Sequence, residues 1–358
     1  AEAQDSGASW QPTPPAALGP RVVPQAAWSG RELLVWGGAR CTGRCAPEDA
    51  EPLGDGAAYD PASDAWRPMA AAPLAPRFDA AGPRRPWPGF LFVWGGDDGA
   101  GVLGDGAIYD PEGDTWRPVA PSPLAPRSAA SAVWSGREVI IWGGTVGADP
   151  QGDGAAYDPA TDSWRTIAAT PLRPRLGATT VWTGSEMVVW GGQAGEDAVA
   201  DGAAYDPATD RWRPLAAAPL TARLPGAAAW TGRELVVFGG RAGDQRLTDG
   251  AAYDPATDRW RPLSSSPVVA HEAATSVWTG RELVVWGGLS GGQAVADGAA
   301  YDPGTDAWRP IPAWQARVAP TAVWADGELL VWGGLAPGAD GELEVVADGA
   351  RLRPDDRG

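Results

Sequence analysis

Seven pairs of adjacent glycines punctuate the chain, at positions 37–38, 95–96, 143–144, 191–192, 239–240, 287–288 and 333–334. After a first step of 58 residues the spacing is 48 four times over and then 46. A period of that length is too long for a helical solenoid unit and fits a unit of four short strands. In each of the first six units the glycines are followed by Asp-Gly-Ala-x-Tyr-Asp-Pro, with tyrosines at 59, 109, 157, 205, 253 and 301. A Trp-Arg pair comes next, with tryptophans at 66, 116, 164, 212, 260 and 308.

The fourth unit shows how each repeat reads. LGATTVW ends at Trp182, EMVVWGG runs through Trp190, GAAYD centres on Tyr205 and WRPLA begins at Trp212. Between them, Trp-Thr-Gly-Ser-Glu and Asp-Pro-Ala-Thr-Asp supply the glycine, proline and Asx chemistry that tight hairpins require. Nothing has helical period. The seventh unit stops after a third strand, Asp348 to Leu352, and its missing Trp strand stands at the other end of the chain. Trp10 is followed by Arg21 at the spacing that separates Trp212 from Arg223. The pattern therefore predicts an all-β, seven-bladed β-propeller in a single domain, 1–358, whose N-terminal strand closes the last blade and removes the sheet edge. The blades fall at about 22–70, 78–120, 128–168, 176–216, 224–264, 272–312 and 318–353 plus 8–13. Twenty of the 21 tryptophans take repeated places, Trp87 among them, and are predicted to pack between blades; Trp314 is left over.

A glycine pair, a tyrosine and a tryptophan on successive strands of such a unit resemble the kelch repeat, from residue 8 to about 353. The arrangement is similar to the central propeller domain of galactose oxidase. The Gly-His and Trp-Asp signatures of WD40 propellers are absent. The resemblance implies a partner-binding platform in most members and an enzyme in some. Galactose oxidase-like copper chemistry needs two histidine ligands, and His271 is the sole histidine, so that activity is excluded.

Composition narrows the function by exclusion. The chain has no Lys and no Asn, which removes Schiff-base chemistry, a P-loop lysine and N-glycosylation, and suggests a GC-rich bacterial coding sequence. A net charge of −17 disfavours nucleic acid and anionic membranes as partners. No apolar run approaches the roughly 18 residues of a membrane span. No metal or cofactor site is predicted, and a monomer is expected. The start at Ala1 reads as that of a mature secreted or surface protein, in which Cys41 and Cys45 would form a small disulfide loop. Two cysteines cannot by themselves hold a structural zinc.

Because the units repeat, departures from the repeat single out candidate functional positions. Segments after the glycine pairs and between blades vary, and both emerge on one face; the opposite, plain face has short, uniform turns. The loops at 39–54 and 335–347 are long and acidic. Arg21, Arg77, Arg127, Arg175, Arg223 and Arg317 precede the first strands, with His271 at the equivalent place in the sixth blade. These arginines are expected to ring the channel mouth and gather anions. His271, Glu272 and Trp314 are departures that point to one sector. GxGxxG at Gly99, GxSxG at Gly288 and the partial HExxH at His271 lack the structural context their chemistry needs. The leading expectation is a secreted or surface binding module for an anionic ligand or protein partner. The alternative is a lyase or hydrolase acting on an anionic sugar, with His271 as general acid/base, the arginines holding carboxylates and Trp314 stacking on the sugar.

Overall fold

The second strand of every unit is a run of branched and aromatic residues, such as Leu33–Trp36, Val139–Trp142 and Met187–Trp190, and each of these is buried along its whole length. A strand enclosed on both faces needs no polar alternation, and neighbouring sheets cover both faces here. In the computed structural model, which describes residues 9–41, 49–83, 89–268 and 272–353, these strands organise a seven-bladed propeller with no helix among the described residues beyond a single short turn.

Each of the first six blades is an antiparallel sheet in chain order. In the fourth, Thr179–Trp182, Met187–Trp190, Gly202–Asp206 and Arg211–Pro214 lie side by side. Six sheets have four described strands and the second has three. There a single bridge, Ala81 to Trp94, marks the first-strand position, and the Arg84–Arg85–Pro86 interruption and Trp87 lie outside the described residues. Glycine is required after the second strand: Gly192 has φ +100°, and a Cβ there would lie 2.6 Å from the Leu176 carbonyl oxygen.

The ring closes as the sequence predicts. Trp10–Pro12 pairs antiparallel with Gly349–Leu352, Trp10 opposite Leu352, and completes the seventh sheet. Aromatic contacts fasten every junction. Trp36, Trp94, Trp142, Trp190 and Phe238 each meet the fourth-strand tryptophan of the next blade, at Trp116, Trp164, Trp212, Trp260 and Trp308. Trp286 meets Trp10 at 5.1 Å and Trp332 meets Trp66 at 5.7 Å, which carries the series across the chain ends.

On the plain face a second network runs from blade to blade. Arg213 donates two hydrogen bonds to the Glu186 carboxylate and a third, at 3.0 Å, to the Tyr253 hydroxyl of the next blade. Tyr253 donates in turn to Asp258 Oδ1, which also accepts from the Ala216 amide. The arrangement recurs around Arg67, Arg165 and Arg261. Asp258 adopts φ +52° within the Asp-Pro-Ala-Thr-Asp turn, a left-handed conformation that aspartate tolerates.

Candidate functional site

The arginines that precede the first strands do stand on the loop-rich face, but they point inward. All six are at most 2% exposed. In the fourth blade Arg175 donates from Nε to the Arg173 carbonyl, from Nη1 to the Gly191 and Asp201 carbonyls, and from Nη1 and Nη2 to both carboxylate oxygens of Asp201. Arg21, Arg77, Arg127 and Arg223 hold Asp55, Asp105, Asp153 and Asp249 in the same way. Arg317 differs, donating to Asp348 at 2.6 Å and to the Gln315 side chain at 3.0 Å. Burial holds the Arg317 guanidinium below its usual range, with Asp348 opposing that effect.

This corrects the expectation of an anion-gathering arginine ring. The guanidinium groups are spent on carbonyls and carboxylates inside each blade, while the aspartate partners remain about half exposed, Asp201 at 57% and Asp249 at 53%. What these pairs present to solvent is therefore carboxylate. Hydrogen bonds from the arginines hold Asp153, Asp201 and Asp249 below the ordinary carboxylate range, so they stay ionised.

Trp314 is also corrected. Its ring stacks on Trp10 at 5.3 Å and on Trp286 at 6.0 Å, and the Arg317 guanidinium lies 5.0 Å from its centroid. The link from Trp308 to Arg317 is nine residues, where Trp212 to Arg223 is eleven, and it places a packing residue against the closing strand, so the faces of Trp314 are not open to a sugar. His271 and Cys45 lie outside the described residues; Cys41 is buried. Glu272 does reach a candidate site: its carboxylate lies 3.7 Å from Arg241 Nε, across the junction of the fifth and sixth blades.

That site grows out of a repeated feature of the loop-rich face. In every blade the residue after the arginine or histidine bridges to the residue after the glycine pair, as in Val22 with Ala39, Leu176 with Gln193 and Leu224 with Arg241. The next residue is left-handed in six blades, at Val23, Asp79, Ala129, Gly177, Ala273 and Ala319. Two of these bond to the preceding blade, Ala129 N–H to the Asp79 carbonyl and Ala319 N–H to the Ala273 carbonyl. In the fifth blade this residue is Pro225. Proline can neither adopt positive φ nor donate, so the repeated path is lost there. A cavity of about 340 Å³ opens at that place, lined by Leu224, Pro225, Arg241, Asp244, Arg246, Glu272, Ala273 and three glycines.

The short ribbons that rise from this face divide it chemically. Ala39, Leu335 and Leu289 carry apolar side chains that cluster with Val22, Val318, Leu343 and Val345 over blades six, seven and one. Thr145, Gln193 and Arg241 hold the same place in blades three, four and five. The cavity marks one boundary between these halves. Of the acidic loops, the first carries Glu51 paired with Arg40 at 3.2 Å, and the second folds Leu335–Pro337 against Leu343–Val345. Among the described residues no cluster of His, Cys, Asp and Glu is arranged to hold a metal ion.

A family profile described as the KLHDC2/KLHL20/DRC7 Kelch-repeats domain matches residues 87–268 and again 177–342, together more than half of the chain. The chain belongs to the kelch-repeat family. No curated protein matches it. A kelch propeller is a common protein-interaction module, which supports a binding role in general terms. No helix among the described residues is long and apolar enough to cross a membrane.

Within this kelch chain the sequence reading missed two things. The arginine–aspartate pairing was legible as two opposite charges repeating in lockstep, Arg before the first strand and Asp before the third. Arg241, Arg246 and Pro225 were legible only by comparing the variable segments residue by residue, because their loop has ordinary length.

Proposed function

We propose that this kelch propeller is a binding module that engages an anionic ligand or protein partner with its loop-rich face, and that it works outside the cell or at its surface. The observation that carries the first part is the contrast between the faces. The plain face is closed by one Glu-Arg-Tyr-Asp network repeated across blades, whereas the loop-rich face holds the apolar ribbons, the polar ribbons and the cavity between them. The enzyme alternative loses the sugar platform it assigned to Trp314, and His271, its general acid/base, lies outside the described residues.

Hydrogen-exchange mass spectrometry of the whole chain with a panel of acidic peptides and acidic glycans tests the reading. Protection is expected in the ribbons at 39–52, 145–150, 193–198, 241–246, 289–294 or 335–345. Protection confined to the plain-face turns would overturn it.

The extracellular placement draws on the CTGRC pair, because closely spaced thiols persist as a disulfide in an oxidising compartment. Alkylation and mass spectrometry of protein recovered from its native source are expected to find Cys41 and Cys45 joined. Two alkylated thiols would sink that placement.

A further inference from the structure

Within the loop-rich face, two arginines of the fifth blade face each other across a ribbon. Arg241–Ala242 pairs antiparallel with Gln245–Arg246, and Arg241 stands directly opposite Arg246. The amide of Arg241 donates outward to Leu224, while Leu247 donates to Gly240, so the two arginines form a non-hydrogen-bonded pair. Such pairs bring Cα atoms to about 4.5 Å and their side chains closest together. Like charges in that relation destabilise a ribbon. The equivalent pairs elsewhere are Ala39 with Pro52, Thr145 with Pro150, Gln193 with Ala198, Leu289 with Ala294 and Leu335 with Val345. Among the described residues, only the fifth blade sets like charges opposite each other; Arg40 and Glu51, paired in the first ribbon, are of opposite sign.

Asp244 and Glu272 line the same cavity as these arginines, yet neither carboxylate accepts a hydrogen bond from them among the described residues. Arg241 has Glu272 at 3.7 Å, beyond hydrogen-bonding distance, and a long contact of 3.4 Å to the Gly243 carbonyl. No hydrogen bond or ion pair engages Arg246 among the described residues. The contrast with the first-strand arginines is sharp: those are buried and bound on both nitrogens, whereas Arg241 is 43% exposed and borders a cavity.

We propose that this cavity binds the carboxylate of an acidic side chain on a protein partner, clamped between Arg241 and Arg246, with Glu272 as the resident carboxylate that the ligand displaces. The proposal rests on the binding reading above and names its site. A cavity of about 340 Å³ holds one carboxylate-bearing side chain and its flanking backbone. Gly226, Gly240 and Gly243 line it, which lets a partner main chain approach closely. No aromatic ring is among the lining residues, so the site offers no flat apolar platform for a sugar and favours a peptide. Glu272 then sets selectivity. It holds Arg241 loosely when the site is empty, and a ligand must offer a better-placed carboxylate to replace it.

The test is calorimetric titration of the full chain with a capped glutamate-rich peptide, its glutamine-rich counterpart and oligogalacturonate, at low and at moderate salt. The glutamate peptide is expected to bind and the glutamine peptide to fail. Arg241→Gln and Arg246→Gln should each weaken binding about tenfold. Glu272→Gln should tighten it, and added salt should weaken wild type more than Arg246→Gln. Both arginines are outside the core, so the variants should melt as wild type does, which separates lost binding from lost fold. Unchanged affinity in the double variant, no uptake of the glutamate peptide by wild type, or tighter uptake of oligogalacturonate would each overturn the proposal. If exchange protection falls on other ribbons of the loop-rich face, this pocket fails and the binding reading stands; protection on the plain face ends both.

Discussion

Trp10 lies nearly parallel to Trp314, with 5.3 Å between ring centroids and 19° between planes, and its indole nitrogen donates to the Pro312 carbonyl at 2.9 Å. One ring comes from the first described strand and the other from the linker into the seventh blade. With Trp286, which is tilted by 41° against Trp10, they form a three-ring cluster at the seam between the N-terminal strand and the seventh blade. A sheet of three strands closed by a three-residue segment needs such an anchor, because the segment has few backbone hydrogen bonds of its own.

Trp10→Ala should therefore cost on the order of 3 kcal/mol, at the lower end for a large aromatic since Trp10 is only part-buried. Removing residues through Pro12 should cost more and expose the strand edge at Gly349–Leu352. Thermal melting and light scattering measure both. A truncated chain that melts at the wild-type temperature and stays monodisperse would refute closure by this strand.

The buried arginines predict an asymmetry between their two partners. Asp201→Asn leaves the Arg175 guanidinium buried without a counter-charge, and should destabilise by about 3 kcal/mol. Arg175→Met fills a similar volume and leaves a carboxylate that is already half in water, so it should cost less. Arg223→Ala should lower the melting temperature, as expected of a group that bonds the Gly239 and Asp249 carbonyls. Equal losses for Asp201→Asn and Arg175→Met would contradict the account.

Acid should weaken the same pairs. The carboxyls of Asp153, Asp201 and Asp249 are held below the ordinary range, first by hydrogen bonds from their arginines. A depressed folded value contributes stability that is present above the unfolded value, about 3.9, and is lost as pH falls through the folded one. Denaturant midpoints should accordingly hold steady from neutral pH down to about 4 and fall below it. Loss of stability beginning between pH 6 and about 5 would point to other groups.

Alkali should act on the plain face. Burial, and then a hydrogen bond to an aspartate, pushes the phenols of Tyr109, Tyr157, Tyr205, Tyr253 and Tyr301 up to about 12. A raised folded value contributes stability that is complete below the unfolded value, about 10, and is lost as pH rises through the folded one. Ultraviolet titration of tyrosinate should thus show the phenols resisting ionisation near pH 10 and releasing together as the propeller opens. Independent ionisation near 10 with the fold intact would contradict it.

Most of the architecture was legible because each repeat declares its own turns. Glycine pairs demand left-handed backbone, Asp-Pro-x-x-Asp starts the last hairpin, and tryptophans recur at the period of a blade. The candidate site was less legible. The repeated arginines were visible, but whether a guanidinium faces water or its own blade depends on where an aspartate about 26 residues away folds back, as in Arg175 and Asp201. Trp314 looked spare because no repeat accounts for it, yet the seam accounts for it completely.

By itself the sequence determined the number of blades, their strand order and the closure of the ring, since these follow from local turn chemistry and a fixed spacing. Only the tertiary structure decided what the charges do. It buried six arginines against carboxylates and left Arg241 and Arg246 facing each other beside a cavity, because charge acts through distances between segments that the linear order does not contain.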